Sequence, residues 1–316
     1  MTAGLGDEPH HRPVLYKQIF DYLAPFSPGK YLDCTAGAGG HSSGILEASA
    51  PDGLLLALDL DPRAVALTSA RLAPYGQRAI VRQGSYLRSS EFLRELGWEK
   101  VDGILLDLGV SSMQLDEAER GFSFRQDGPL DMRFDPASKP SAADLVNNLN
   151  ERELADILWR YGEERFSRRI ARAIVRARPI YTTTELAGIV RSVLGRTQEK
   201  QDPATRTFQA LRIAVNNELA VIAEAVPKLI ALLQPNARIA VISFHSLEDR
   251  IIKHAFQRES RDCICPPEQP VCTCGHRASI TIVTHHPVEA GEQEKKENPR
   301  ARSAKLRVAE KLTKMA

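Results

Sequence analysis

The sequence predicts an α/β protein, a doubly wound and mostly parallel sheet with an all-helical domain inserted into it. Three observations predict it. Short apolar runs alternate with helical stretches over residues 30–109, the pattern of crossover units that cover both faces of a parallel sheet. The alternation then stops for about a hundred residues that are first polar and Gly/Pro-rich, then helical. A further apolar run, Ile239-Ala240-Val241-Ile242-Ser243-Phe244, resumes it. The expected division is therefore a discontinuous sheet domain, 1–114 with 206–316, and an inserted helical domain, 115–205. A chain of 316 residues has room for both.

Tyr31-Leu32-Asp33 reads as the first strand. It runs into Ala36-Gly37-Ala38-Gly39-Gly40, and a helix follows from about Ser42. Leu54 to Leu58 is the second strand, ending at Asp59. Pro62 suits the first turn of the next helix, where its missing N–H costs nothing. Ala79-Ile80-Val81 and Gly103-Ile104-Leu105-Leu106 are the third and fourth strands. From Ser111 to Pro140 the chain is polar, with Phe122, Phe124, Met132 and Phe134 set among charges. Residues 141–200 read as helices, with Leu154, Ile157 and Leu158, then Phe166, Ile170 and Ile174, at helical spacing. One long helix is expected from Pro203 to Leu233, and Ile280–Val283 and Leu306–Val308 as two edge strands.

Hydrophobic residues at 43% and charged residues at 26% exclude wholesale disorder, collagen and coiled coil. No run of 18 uncharged apolar residues exists, so no membrane helix is expected. Residues 1–13 lack a basic-then-apolar signal pattern. A cytoplasmic chain with free thiols is the expectation; no oligomeric state follows from the sequence. The net charge of +2 is unevenly spread. Residues 160–212 hold twelve basic against five acidic side chains, and residues 295–316 hold eight against two. Such segments are either polyanion footprints or solvated helix faces. Arg165, Arg169, Arg172 and Arg176 fall on one helix face. Phe122, Phe124 and Arg125 follow the fourth strand, where they stack an extruded base or anchor the loop.

The glycine-rich turn after the first strand lets a ligand approach backbone N–H groups. Asp59, twenty residues beyond Gly39, is placed to accept hydrogen bonds from ribose hydroxyls. Counting from Gly37, the third glycine of a dinucleotide fingerprint falls on Ser42, so that pattern fails. Asp33 repels a pyrophosphate but attracts the ammonium of a methionyl group. S-adenosylmethionine therefore fits better. Asp107 ends the fourth strand after three apolar residues. There it either caps a loop or accepts a hydrogen bond from an amino group and so aims the nitrogen lone pair at an electrophilic methyl. Ser246 with Asp249 reads as a helix N-cap pair rather than part of a hydrolase triad, since no G-x-S-x-G elbow is present; His245 remains a substrate-pocket candidate. Cys34 reads as core filler. Cys263-x-Cys265 and Cys272-x-Cys274, with His276 nearby, offer four thiols within twelve residues. That set can hold a structural zinc or stay as free thiols on a surface loop.

Seven motifs in order resemble the bacterial ribosomal RNA small subunit methyltransferase H family. They are Asp107-Leu-Gly-Val-Ser-Ser, Glu119-Arg-Gly-Phe-Ser-Phe-Arg, Asp127-Gly-Pro-Leu-Asp-Met-Arg133, Tyr161-Gly-Glu-Glu-Arg-Phe, Pro203-Ala-Thr-Arg-Thr-Phe-Gln-Ala-Leu-Arg212, Ser243-Phe-His-Ser-Leu-Glu-Asp-Arg250 and Asn298-Pro-Arg-Ala-Arg-Ser303. The resemblance runs from about Pro13 to Arg307. It implies a Rossmann-like S-adenosylmethionine methyltransferase sheet and an inserted substrate-recognition domain. The implied reaction is methylation of the exocyclic N4 of a cytidine in the decoding region of 16S ribosomal RNA, within the small ribosomal subunit or its late precursor. Gly39, Gly40 and His41 match the family's cofactor loop, and Asp59 its ribose-binding acid. Tyr86 matches an aromatic beside the adenine. Asp107 and Gln114 match the remaining cofactor contacts. Contact of Asp107 with the target amine is inferred from its position alone. On the residues, a methyltransferase acting on another nucleic acid such as DNA, and an assembly factor that binds the cofactor without catalysis, stay open.

Overall fold

The computed structural model describes residues 13–195, 202–269 and 271–313. Residues 1–12, and the parts of the two basic segments at 196–201 and 314–316, lie outside them. The chain forms two compact units, Met1–Leu108 with Ala223–Ala316, and Gly109–Ile222.

The first unit opens with α1 (Tyr16–Leu23), β1 (Lys30–Asp33), α2 (Gly40–Ala48), β2 (Leu54–Asp59), α3 (Pro62–Leu72), β3 (Ala79–Gln83), α4 (Ser89–Glu95) and β4 (Val101–Asp107). The second unit holds α5 (Ser112–Asp116), α6 (Ala142–Asn148), α7 (Glu151–Gly162), α8 (Ser167–Ala177), α9 (Thr183–Leu194) and α10 (Thr205–Asn216). Then come α11 (Glu218–Ala231), β5 (Leu233–Ser243), α12 (Ser246–Glu259), β6 (Ile280–Ile282), β7 (Val288–Glu289), α13 (Glu292–Glu297) and β8 (Lys305–Lys311). Asp61 caps α3 by accepting from the Arg63 N–H at 3.0 Å, with Pro62 next.

The sheet runs β3-β2-β1-β4-β5-β8-β6, with β7 also paired to β8. Strands β1 to β5 pair in parallel, whereas β8 is antiparallel to β5 and β6. Leu55 to Leu58 are wholly buried, as a strand covered on both faces requires. The strand order reverses between β1 and β4, where ligands collect in open α/β sheets.

Three elements differ from expectation. The long helix breaks at Asn217, which adopts a left-handed conformation (φ 50°) between α10 and α11; asparagine tolerates that region better than most residues, and the apolar periodicity conceals it. The Leu306–Val308 strand is not at an edge, because β8 lies between β5 and β6. Phe166 is no part of a buried stripe. It precedes α8, is 47% exposed and has the Arg169 guanidinium 5.3 Å over its ring. Arg165 likewise precedes the helix. The expected neighbours Leu154, Leu158, Ile170 and Ile174 do form the second unit's core.

Candidate active site

The register places Asp33 of β1 opposite Leu105 of β4, and Asp107 opposite Ile242 of β5. The carboxyl ends of β1, β4 and β5 therefore come together. Thr35 ties two of them. Its N–H donates to Asp33 Oδ1 at 3.1 Å, and its Oγ1 accepts from the Asp107 N–H at 2.6 Å. Asp33 is enclosed, only 1% exposed, and its Oδ2 accepts from Ser42 Oγ at 2.6 Å. Burial pushes its carboxyl up to about 6, against the pull of the Ser42 and Thr35 bonds. The expected direct reach of Asp33 toward an ammonium group is thus not what its setting offers; its charge acts on Asp107 instead.

Asp107 has no such support. Its Oδ1 is buried and has no hydrogen-bond partner among the described residues. Burial pushes the carboxyl up to about 8, and the charges of Asp33 and Glu248 add to this. His41 Nε2 stands 3.7 Å from Asp107 Oδ2. Burial holds the imidazole down at about 4, the Val14 backbone opposing weakly, so near neutrality it brings no positive charge. Its ring lies nearly parallel to Tyr16, centroids 6.0 Å apart.

Gly39 takes φ 75° at the N-cap of α2, a conformation that favours glycine. A Cβ on Gly40 would meet Pro13 Cγ at 2.5 Å. Asp59 closes the turn, its Oδ2 accepting from the Gly37 N–H at 2.8 Å and its Oδ1 from the Asp61 N–H at 2.9 Å. Burial raises its carboxyl while these donors lower it. Half-buried, it has accepting capacity left on both oxygens. Gln83 of β3 pairs with Asp59, and a short 3₁₀ turn from Tyr86 to Arg88 follows. Gly39, Gly40, His41, Asp59, Tyr86 and Asp107 thus all sit at or just beyond the carboxyl ends of β1 to β4, or on the helix they lead into.

Residues 8–312 match the MraW methylase family. The chain belongs to that family. It is 52% identical over 307 residues to the ribosomal RNA small subunit methyltransferase H of Geobacter sulfurreducens, covering 96% of this chain and 99% of that protein. The proteins of the same name in Trichlorobacter lovleyi and Heliobacterium mobile are 51% and 49% identical, over 97% and 96% of this chain and 99% of each relative. The motif resemblance and the fold class agree with this membership, and a methylase acts by methyl transfer.

Elsewhere in this MraW-family chain the geometry separates candidates that the sequence left together. Gln114, in the second unit, is 4% exposed and completes a capping box. Its N–H donates to Ser111 Oγ at 3.2 Å, and its Oε1 accepts from the Ser111 N–H at 3.0 Å. Phe122 stacks on Phe134 at 5.5 Å, and Phe124 meets Phe208 edge-on at 4.7 Å. Both rings anchor the loop and do not stand free to stack an extruded base. The second unit instead exposes Trp159 and Tyr181, which their helical or loop positions did not single out, and Phe166, expected in a buried stripe. Arg165, Arg168, Arg169, Arg172 and Arg176 are exposed. Two residues of the second basic segment are consumed by the fold: Arg307 clasps Asp249 at 2.6 and 3.1 Å and Lys305 approaches it at 3.8 Å.

The cap of α12 is shifted by one residue from the expected Ser246–Asp249 pair. His245 is the N-cap, its Nδ1 accepting from the Glu248 N–H at 3.3 Å. Glu248 Oε2 in turn accepts from the N–H of Phe244 at 2.8 Å. Arg307 has already taken Asp249. Glu248, fully buried beside Asp107, was not foreseen; its only signal was the three-residue spacing to His245. The Sγ atoms of Cys263, Cys265, Cys272 and Cys274 all lie within 4.8 Å of one another. Among the described residues no helix is long and apolar enough to cross a membrane.

Proposed function

We propose that this chain transfers a methyl group from S-adenosylmethionine to the exocyclic N4 of a cytidine in the decoding region of 16S ribosomal RNA. We place the reaction in the cytoplasm, on the small ribosomal subunit or its late precursor. The observation that carries the reading is Asp107, a carboxyl with a buried and unpartnered Oδ1 at the point where the strand order reverses. The donor set suits the cofactor. Asp33, Asp107 and Glu248 bring three carboxyl groups together next to a neutral His41, a setting in which a bound cation would favour the ionised form of Asp107.

Bound S-adenosylmethionine supplies a methyl carbon activated by a positive sulfur. Gly39, Gly40 and His41 at the start of α2 would hold it, with Asp59 on the ribose and Tyr86 beside the adenine. Gln114 stands as a further contact on the strength of the motif match. Asp107 has the deciding task. In its ionised form Oδ1 accepts an N4–H, fixes the amine's direction, and takes the proton that the nitrogen must lose as it is alkylated. In its protonated form it cannot take that proton, so the raised carboxyl sets the lower pH limit of the reaction. The inserted domain, 115–205, is assigned to substrate recognition, its exposed arginines on phosphates and its exposed aromatics on bases.

Nucleoside mass spectrometry on small subunits incubated with enzyme and cofactor tests the reading. Asp107→Ala is expected to abolish N4-methylcytidine. Undiminished product from that variant would remove the role given to Asp107. Comparison of small subunits, free ribosomal RNA and duplex DNA tests the acceptor; preference for DNA, or cofactor binding without transfer to any RNA, would overturn the assignment.

A further inference from the structure

Residues 261–279 join α12 to β6, and none of the described ones is buried. Ile264 and Val271 are 38% and 69% exposed. Ordering a residue costs about 1–2 kcal/mol of backbone entropy, and this loop buries no apolar surface to offset that. Polar contacts hold its base and middle. The Ala278 N–H donates to Asp262 Oδ1 at 3.2 Å, His276 Nε2 lies 2.9 Å from the Arg258 carbonyl, and Gln269 Nε2 donates to Thr273 Oγ1 at 2.8 Å. Small folds without a core are held by a disulfide or a metal.

The four thiols choose between these. The sulfurs of Cys263 and Cys272 are 3.4 Å apart, those of Cys272 and Cys274 3.6 Å, and those of Cys274 and Cys263 3.9 Å. A disulfide needs about 2.05 Å. A tetrahedron of thiolates, each about 2.3 Å from a central zinc, has edges of about 3.8 Å. The three separations lie about the tetrahedral edge, and the Cys265 sulfur is within 4.8 Å of the other three. Backbone N–H groups also point at the sulfurs. Ile264 N lies 3.5 Å from Cys274 Sγ, and Cys265 N lies 3.4 Å from Cys263 Sγ. Such donors favour thiolate over thiol. His276 has its ring nitrogen on a carbonyl and stands outside the set.

We propose that Cys263, Cys265, Cys272 and Cys274 form a structural zinc site that staples the loop between α12 and β6. Binding displaces the four thiol protons to solvent and leaves a cluster of two net negative charges, which the N–H donors and the flanking Arg261 and Arg277 in the sequence offset. Soft sulfur ligands in tetrahedral array select zinc or iron over hard cations. Four thiolates leave no position open for water, so the metal takes no part in methyl transfer.

The test is elemental analysis of the full-length protein, purified under reducing conditions without chelator, beside limited proteolysis of the loop. One zinc per chain is expected. Cys272→Ser/Cys274→Ser is expected to lose the zinc and to be cut within 261–279 at least about tenfold faster, while the rest of the chain keeps its protection. Cys272→His keeps an eligible ligand and is expected to retain the metal. Cobalt exchanged into the site is expected to show the visible absorption of tetrahedral sulfur coordination. Iron in zinc's place, an intact mass showing the thiols joined as disulfides, no bound metal, or zinc retained by the double serine variant would each overturn the proposal.

Discussion

Asp107 and Asp249 flank the same strand and have met opposite fates. Asp107 pairs across to Ile242 of β5, and Arg307, the partner of Asp249, pairs across to Val241 from the other side. Asp249 is 13% exposed and held by two arginine hydrogen bonds with a lysine behind them. Asp107 is more open, 28% exposed, yet has for company a neutral imidazole and two further carboxyl groups. Folding alone favours the first arrangement, since buried charges persist when paired. The second unit repeats it, with the nearly buried Glu218 clasped by Arg212 at 2.9 and 3.0 Å. On the proposed function, a carboxyl left without a cation at a sheet's carboxyl edge is one held for a ligand.

Removing each partner sharpens that contrast. Asp107→Asn keeps the shape and an amide oxygen that can accept a hydrogen bond, but removes the carboxylate that takes the proton. Its kcat/KM for N4-methylation is expected to fall about 10³-fold, within the range for a general base that also positions its substrate. Arg307→Ala is expected to do the reverse. It leaves Asp249 with Lys305, 3.8 Å away, in place of two arginine hydrogen bonds, and is expected to cost about 3 kcal/mol of unfolding free energy, measured by urea denaturation, while the folded fraction keeps its turnover. A rate loss in Arg307→Ala at full stability would collapse the distinction between the two carboxylates.

The next effect is on pH. The raised Asp107 carboxyl must ionise to accept a proton, so kcat/KM is expected to rise about tenfold per pH unit up to about 8 and then level. Saturating cofactor brings a positive charge and is expected to move the kcat profile to lower pH. Stability runs the other way. A carboxyl raised in the folded state contributes its stability fully below the unfolded value near 3.9, and loses it as pH rises through about 8. Asp107→Asn is therefore expected to be more stable than the parent by about 2 kcal/mol at pH 8, the gain vanishing near pH 4. Thermal melts across that range check it; a constant offset would place the effect in packing rather than in charge.

What the sequence made legible was local. The alternating strands, the glycine turn, Asp59 and Asp107 each announce themselves within a few residues, because a strand's apolar run and the polar residue ending it are one short pattern. Long-range pairing was not legible. Nothing within Leu306–Val308 says that β8 lies inside the sheet rather than at its edge. The break at Asn217 leaves the apolar period intact on both sides. At the start of α12, His245 with Glu248 and Ser246 with Asp249 share the same spacing, and the choice was made by Arg307, 58 residues from Asp249. Glu248 therefore stayed hidden although it helps to raise Asp107.

The smallest expected effects lie on α8, where the same question of paired against unpaired charge recurs among cations. Arg169 is spent on Phe166 and on the Val193 carbonyl at 3.1 Å, and Arg172 lies 3.3 Å from Glu151. Arg178 donates to the Val146 carbonyl at 2.7 Å and to that of Leu149. Arg168 and Arg176 are exposed and form no ion pair among the described residues. If the second unit meets ribosomal RNA through this helix, Arg168→Gln and Arg176→Gln are each expected to weaken acceptor binding severalfold at low salt. Each is also expected to flatten the plot of log affinity against log salt by about 0.7–0.9, with no change in melting temperature. Arg178→Gln is expected to leave the slope alone and to lower stability by about 1–2 kcal/mol, because two helix-end carbonyls lose their donor. Filter binding to small subunits across a salt series separates the two classes, and an unchanged slope in the Arg168 and Arg176 variants would move the phosphate contacts off this helix.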